Sequence, residues 1–162
     1  MRYLNITSPD IENGLGFRVT LWISGCKLNC PGCHNPESHS FLAGKVFDNE
    51  AMEELLKQLN RPYIKGLTLS GGNPLDSDIN DLLQVVKRVK GEFPDKDIWL
   101  YSGYTLDEIN SSDKKIILDY IDVLVDGPFK QRLANKSLAF RGSSNQIIWK
   151  KENGLFIKSE IN

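Results

Sequence analysis

Cys26, Cys30 and Cys33 fall in one short loop with the spacing C-x3-C-x2-C, and the 162-residue chain has no other cysteine. An odd count argues against a disulfide framework, and three thiolates this close together point to metal. A four-iron, four-sulfur cube takes one ligand on each iron. Three protein ligands therefore leave one iron open, much as a catalytic zinc keeps a free position that a structural zinc lacks. An open iron can bind a small molecule and pass it an electron, so the loop predicts chemistry rather than scaffolding. Two other readings stand beside this one. A structural zinc would need a histidine as fourth ligand. His34 directly follows Cys33, which leaves His39, and zinc modules usually supply two separated ligand pairs where this chain has only one cluster. The third reading is three unused core cysteines.

Composition narrows the setting. Hydrophobic residues make up 40%, charged residues 25%, and the net charge is -1, so no strong field attracts nucleic acid or a membrane surface. The short basic clusters Lys87, Arg88 and Lys90, Lys114 and Lys115, and Lys150 and Lys151 read as solvated faces. Asp10 and Glu12 stand where a signal peptide needs an apolar run, and no stretch approaches the ~20 apolar residues of a membrane span. A reduced, cytoplasmic protein is expected, in which the glycosylation pattern Asn135-Lys136-Ser137 has no meaning. A single domain over residues 1–162 is predicted, large enough to bury roughly 70% of its unfolded surface.

Strand-like and helix-like segments alternate. Phe17 to Ser24, Gly66 to Ser70, Ile98 to Ser102 and Val123 to Val125 read as four buried strands. Gln146 to Trp149 and Leu155 to Ile157 read as two late ones, and Trp22, Trp99 and Trp149 within these runs are predicted to be core. Met52, Leu55, Leu56 and Leu59 recur at helical spacing behind a cap at Asp48 or Asn49. Ile79, Leu82, Leu83, Val86 and Val89 mark a longer helix ending near Gly91 and Pro94. Thr105 and Glu108 form a capping box, and Ile116, Ile117 and Tyr120 predict one more helix. This alternation implies βαβ units and a parallel sheet. A closed (β/α)8 barrel needs about 250 residues, so an open, partial (β/α) barrel is expected. In such folds the loops after the strands carry the chemistry. Here those are the cysteine loop, Gly71-Gly72-Asn73-Pro74, Tyr101-Ser102-Gly103-Tyr104 and Asp126-Gly127-Pro128-Phe129, all predicted to share one rim.

Gly71-Gly72-Asn73-Pro74 by itself is a turn, since glycine supplies positive φ and proline fixes the exit. At a shared rim the two glycines would also let a ligand approach the backbone. Gly72→Val is then expected to weaken ligand binding while the protein folds and takes up iron. Gly14-Leu15-Gly16 follows no predicted strand and is no dinucleotide fingerprint. Asp126 reads equally as a turn residue or a functional carboxylate. Arg141 is the most attractive anion-contacting group, because its guanidinium can grip a carboxylate or phosphate bidentately.

The run Gly25-Cys26-Lys27-Leu28-Asn29-Cys30-Pro31-Gly32-Cys33-His34-Asn35, with the later glycine-rich turn, resembles the radical S-adenosyl-L-methionine (SAM) enzymes. Cys30 to Asn35, Tyr101 to Thr105, Asp126 to Phe129 and Arg141-Gly142-Ser143-Ser144-Asn145-Gln146 together resemble the activating proteins of anaerobic (class III) ribonucleoside-triphosphate reductase. The resemblance runs from about Phe17 to Trp149. Gly32 stands where the wider superfamily has an aromatic residue, which suits the activase subgroup. Asn73 stands where an acidic residue is usual. Its amide oxygen still accepts a hydrogen bond but brings no charge, and Asn73→Asp is expected to be tolerated.

The resemblance implies an open partial barrel of the radical SAM type, with a [4Fe–4S] cluster on Cys26, Cys30 and Cys33. It implies SAM held near Gly32, Cys33, His34, Gly71, Gly72 and Asn73. Reduced flavodoxin or a similar donor would supply an electron. SAM would break to methionine and a 5′-deoxyadenosyl radical, which would take hydrogen from a glycine Cα of the reductase. The chain's own residues would position and shield these groups. An activase of another glycyl-radical enzyme, such as pyruvate formate-lyase, is the alternative within the superfamily. A zinc-binding interaction module without catalysis is the alternative outside it.

Overall fold

The computed structural model describes residues 1–161. Its strands are β1 Arg2–Asp10, β2 Phe17–Ile23, β3 Lys45–Val46, β4 Ile64–Gly71, β5 Asp97–Tyr101, β6 Val123–Asp126, β7 Ile147–Glu152 and β8 Leu155–Lys158. They form one open eight-stranded sheet in the order β3-β1-β2-β4-β5-β6-β7-β8. The central four, β2, β4, β5 and β6, run parallel. Antiparallel neighbours flank them on both sides. The helices are α1 Asn49–Leu59, α2 Ile79–Glu92 and α3 Leu106–Asn110. Among the described residues no helix is long and apolar enough to cross a membrane.

Strand alternation sorts the sheet's two faces. Val19, Leu21, Ile23, Leu67, Leu69, Ile98, Leu100 and Leu124 are buried in one core with Leu55 and Leu59 of α1 and Leu82 and Val86 of α2. Each helix starts on the cap its sequence offers. Asp48 accepts from the Ala51 N–H, Asp78 from Asn80 and Asp81, and Thr105 and Glu108 form the reciprocal box. The other face carries Trp22, Ser70, Tyr101 and Val125 and lines a cavity. Trp22 thus faces the cavity and bonds Thr7 Oγ1 at 3.0 Å, whereas Trp99 is buried as expected.

The structure differs from the sequence reading at three places. β1 and β3 were not anticipated, and β1 puts a strand before Gly14-Leu15-Gly16, which lies in the β1–β2 hairpin. No helix follows that loop, so it still lacks the strand-loop-helix order of a phosphate site. The segment with Ile116, Ile117 and Tyr120 is a 3₁₀ stretch, Asp113–Tyr120, rather than an α-helix.

The cavity-side face holds a buried charge that the apolar run concealed. Arg18 is 0% exposed. Its Nε donates to Thr68 Oγ1 at 2.7 Å, its Nη2 to the Leu67 carbonyl at 2.8 Å, and its Nη1 to the Leu15 carbonyl at 3.0 Å. Nη2 also pairs with Asp97 Oδ1 at 2.7 Å, and the guanidinium lies 5.3 Å from the Trp99 ring centroid. Removing one side of a charge pair whose guanidinium is fully buried is costly. Arg18→Ala should destabilise the fold by about 3 kcal/mol or more, read as a lower urea midpoint.

Candidate functional site

The loops after β2, β4, β5 and β6 surround one cavity of about 800 Å³. Cys26, Cys30, Cys33, Gly32, His34, Gly71, Gly72, Asn73, Ser102, Gly103, Pro128 and Phe129 all line it.

The cysteine loop is strapped to its neighbours by backbone bonds. Gly25 N–H donates to the Ser38 carbonyl at 2.7 Å and Cys26 N–H to the His39 carbonyl at 3.1 Å. From the β4 turn, Gly72 N–H donates to Ile23 at 2.8 Å and Asn73 N–H to Gly25 at 2.8 Å. These bonds bring two parallel strand ends so close that side chains are excluded. A Cβ on Gly71, whose φ is +105°, would meet the Ile23 carbonyl oxygen at 2.4 Å. One on Gly72 would meet the Gly25 carbonyl oxygen at 2.4 Å and that of Ser38 at 2.7 Å. The expectation that Gly72→Val leaves folding and iron uptake intact is therefore corrected, because the added carbons collide with the base of the cysteine loop itself.

The β6–β7 connection closes over the cysteines. Gln146 Oε1 accepts from the Gly142 and Ser143 N–H groups, its Nε2 donates to the Gly127 carbonyl at 3.0 Å, and Asn145 Nδ2 donates to the Pro128 carbonyl at 2.8 Å. The segments Asp126–Phe129 and Arg141–Gln146 thus hold one another, and they present the Phe129 N–H to the Cys30 sulfur. The His34 ring meets Phe129 edge-on at 5.0 Å. Gly32, with φ +75°, sits where a Cβ would meet Gln131 at 3.0 Å.

The thiols interact. Burial pushes the Cys30 thiol up, and the charges of Cys26 and Cys33 push it the same way, against the Phe129 N–H bond. A cation beside the Cys30 sulfur would favour its thiolate. Among the described residues no three His, Cys, Asp or Glu side chains converge as they would on a single ion. Three half-buried thiols around one cavity match the donor set of a cluster several ångströms wide. His39 also lines that cavity, with Nε2 buried and unbonded among the described residues.

Two residues weighed from the sequence have structural partners. Asp126 Oδ2 accepts from Leu106 N–H at 2.6 Å and Oδ1 from Ile147 N–H at 3.3 Å, tying α3 and β7 to the end of β6. Burial pushes its carboxyl up, and the N–H bonds oppose this. Arg141 lines the cavity and donates from Nη1 to the Ile161 carbonyl at 3.1 Å.

Asp76 escaped the sequence reading. It is 8% exposed. Its Oδ2 accepts from the Lys27 N–H at 2.9 Å and from Asn73 Nδ2 at 3.3 Å, and its Oδ1 from the Tyr104 hydroxyl at 2.5 Å. The bond to Asp76, with burial, pushes the Tyr104 phenol up to about 12. The expectation for Asn73→Asp is corrected accordingly. A second carboxylate would sit against the first in a buried place, where like charges resist joint ionisation. Only the "acid three residues on" hints at this in sequence.

The family model described as "4Fe-4S single cluster domain" matches residues 12–149. The "Anaerobic ribonucleoside-triphosphate reductase-activating protein" of Haemophilus influenzae is 49% identical over 151 residues, covering 91% of this chain and 97% of the relative. The protein so named in Vibrio cholerae is 45% identical over 151 residues, with 91% and 97% covered. Its counterpart in Escherichia coli is 43% identical over 151 residues, with 91% and 97% covered.

Proposed function

The chain belongs to the family of anaerobic ribonucleoside-triphosphate reductase-activating proteins, and on that premise we propose that it generates the reductase's glycyl radical through reductive cleavage of SAM at a [4Fe–4S] cluster. The observation that carries this reading is the gathering of three cysteines and the glycine-rich turn around one cavity. When bound, the cluster supplies the low-potential electron, on the order of -400 to -700 mV, that breaks the sulfonium and so begins hydrogen abstraction from a glycine Cα. Cys26, Cys30 and Cys33 would hold three of its irons as thiolates. The N–H groups of Phe129 and Asn35 stabilise the charge on Cys30 and Cys33. Gly71, Gly72 and Asn73 offer backbone and amide groups to SAM, with Gly32 and His34 beside the third thiolate. The sheet is open, so a docked segment of the reductase completes the wall, excludes water and fixes the glycine against the reacting carbon. Reduced flavodoxin or a similar donor fits the one-electron demand, and the cytoplasm fits the free thiols.

The test mixes the reconstituted protein with SAM, a reductant and the anaerobic reductase, and reads 5′-deoxyadenosine together with the radical signal by electron paramagnetic resonance. A glycyl radical on the reductase is expected. None is expected on a reductase whose radical-site glycine is replaced by alanine, nor on pyruvate formate-lyase. Radical on the lyase alone would move the assignment to another activase. A colourless protein with one bound zinc would leave only the interaction module.

A further inference from the structure

Asn73 is 1% exposed and lines the cavity, while Asp76 lies directly behind it. A carboxylate only accepts hydrogen bonds. Asn73 must therefore turn its NH2 toward Asp76 and its carbonyl oxygen away, where it accepts from Ser102 Oγ at 3.3 Å. That oxygen has a second lone pair for a donor in the cavity. Donating to a buried carboxylate polarises the amide and strengthens its oxygen as an acceptor. Asp76 also holds the Lys27 N–H, in the loop between Cys26 and Cys30. Its Oδ1 is engaged by Tyr104 and faces Lys114 Nζ at 3.7 Å, whereas Oδ2 is the oxygen that meets Asn73.

We propose that Asp76 is a positioning residue that lends the uncharged Asn73 the character of an acid, so that the pair forms one subsite for a primary ammonium group at the cavity rim. This rests on the reading that SAM binds there, since its methionine end carries such a group. The carboxylate does not touch the ligand. It fixes the amide's orientation and places a negative charge behind it, with neither residue more than 8% exposed.

Equilibrium binding of SAM and of 5′-deoxyadenosine, which lacks the ammonium group, tests this on the reconstituted full chain, with iron content measured for each variant. Asp76→Asn should weaken SAM binding about tenfold or more, the size of a lost charge-assisted bond, and leave 5′-deoxyadenosine unchanged. The exchange Asn73→Asp with Asp76→Asn returns one carboxylate and one amide to the pair. It should recover SAM affinity to within about threefold of the parent, a non-additivity that independent roles cannot produce. An exchange no better than Asp76→Asn alone, or equal losses for both ligands, would overturn the proposal. Should both variants lose iron through the Lys27 contact, Asn73→Leu leaves that contact in place and decides. A tenfold loss of SAM affinity there, on the order of one charge-assisted bond, supports the subsite, and unchanged affinity overturns it. A parent protein that holds its cluster but binds no SAM would instead defeat the proposed function.

Discussion

Replacing Cys26, Cys30 or Cys33 with alanine, one at a time, should abolish stable four-iron loading and all SAM cleavage. Each removes one of three thiolates, and the sequence holds no fourth cysteine to take its place. In the Cys26 and Cys33 variants the remaining pair includes Cys30, whose thiol burial pushes toward its protonated form, which further disfavours metal binding. The measurement is iron and sulfide per chain after anaerobic reconstitution, with the visible absorption of the cluster. His34→Ala is the companion control. Its ring packs edge-on against Phe129 and is assigned no ligand role, so iron should be retained. Iron lost from His34→Ala but kept by Cys33→Ala would reverse the ligand assignment.

Gly72→Val should also cost the protein its cluster, although Gly72 carries no ligand. The added Cβ would lie 2.4 Å from one backbone oxygen and 2.7 Å from another, and neither can swing aside as a side chain could. Relief requires the turn to leave the cysteine loop, breaking the bonds from Gly72 to Ile23 and from Asn73 to Gly25. Forced repacking of this kind costs typically 1–3 kcal/mol, so iron retention should fall about tenfold or more. Gly91→Ala is the matching control, since a Cβ there meets nothing within 4 Å and should stabilise α2 by roughly 0.5–1 kcal/mol. Full iron content in Gly72→Val would mean that the two loops move independently.

The parallel strands were legible because β2, β4, β5 and β6 are buried on both faces and read as continuous apolar runs. The rim followed from them, since each motif directly trails a strand. β1 was hidden because Arg2–Asp10 is mostly half-buried and mixes polar with apolar residues without a period of two. β3 has only two residues, too few for any pattern. Arg18 interrupts an apolar strand, and nothing in its neighbours announces that Asp97, Leu67 and Thr68 will receive it. The glycine pair was recognised, but its tightest neighbours are Ile23, Gly25 and Ser38, which only the paired strands bring there. Asp76 was missed for the same reason: its partners Lys27 and Tyr104 are 49 and 28 residues away.

The bonds joining the ends of β2 and β4 would make metal retention and ligand capture, as proposed, a single thermodynamic property. Whatever orders the turn orders the loop that carries Cys26, and the coupling must be equal in both directions. If SAM occupies the turn as proposed, its binding should strengthen the retention of iron against a chelator. Loss of iron, in turn, loosens the amides of Gly72 and Asn73, which become exchangeable reporters of a metal several residues away. On the proposed function, resistance to demetallation should then depend on how much SAM surrounds the protein as well as on its thiols.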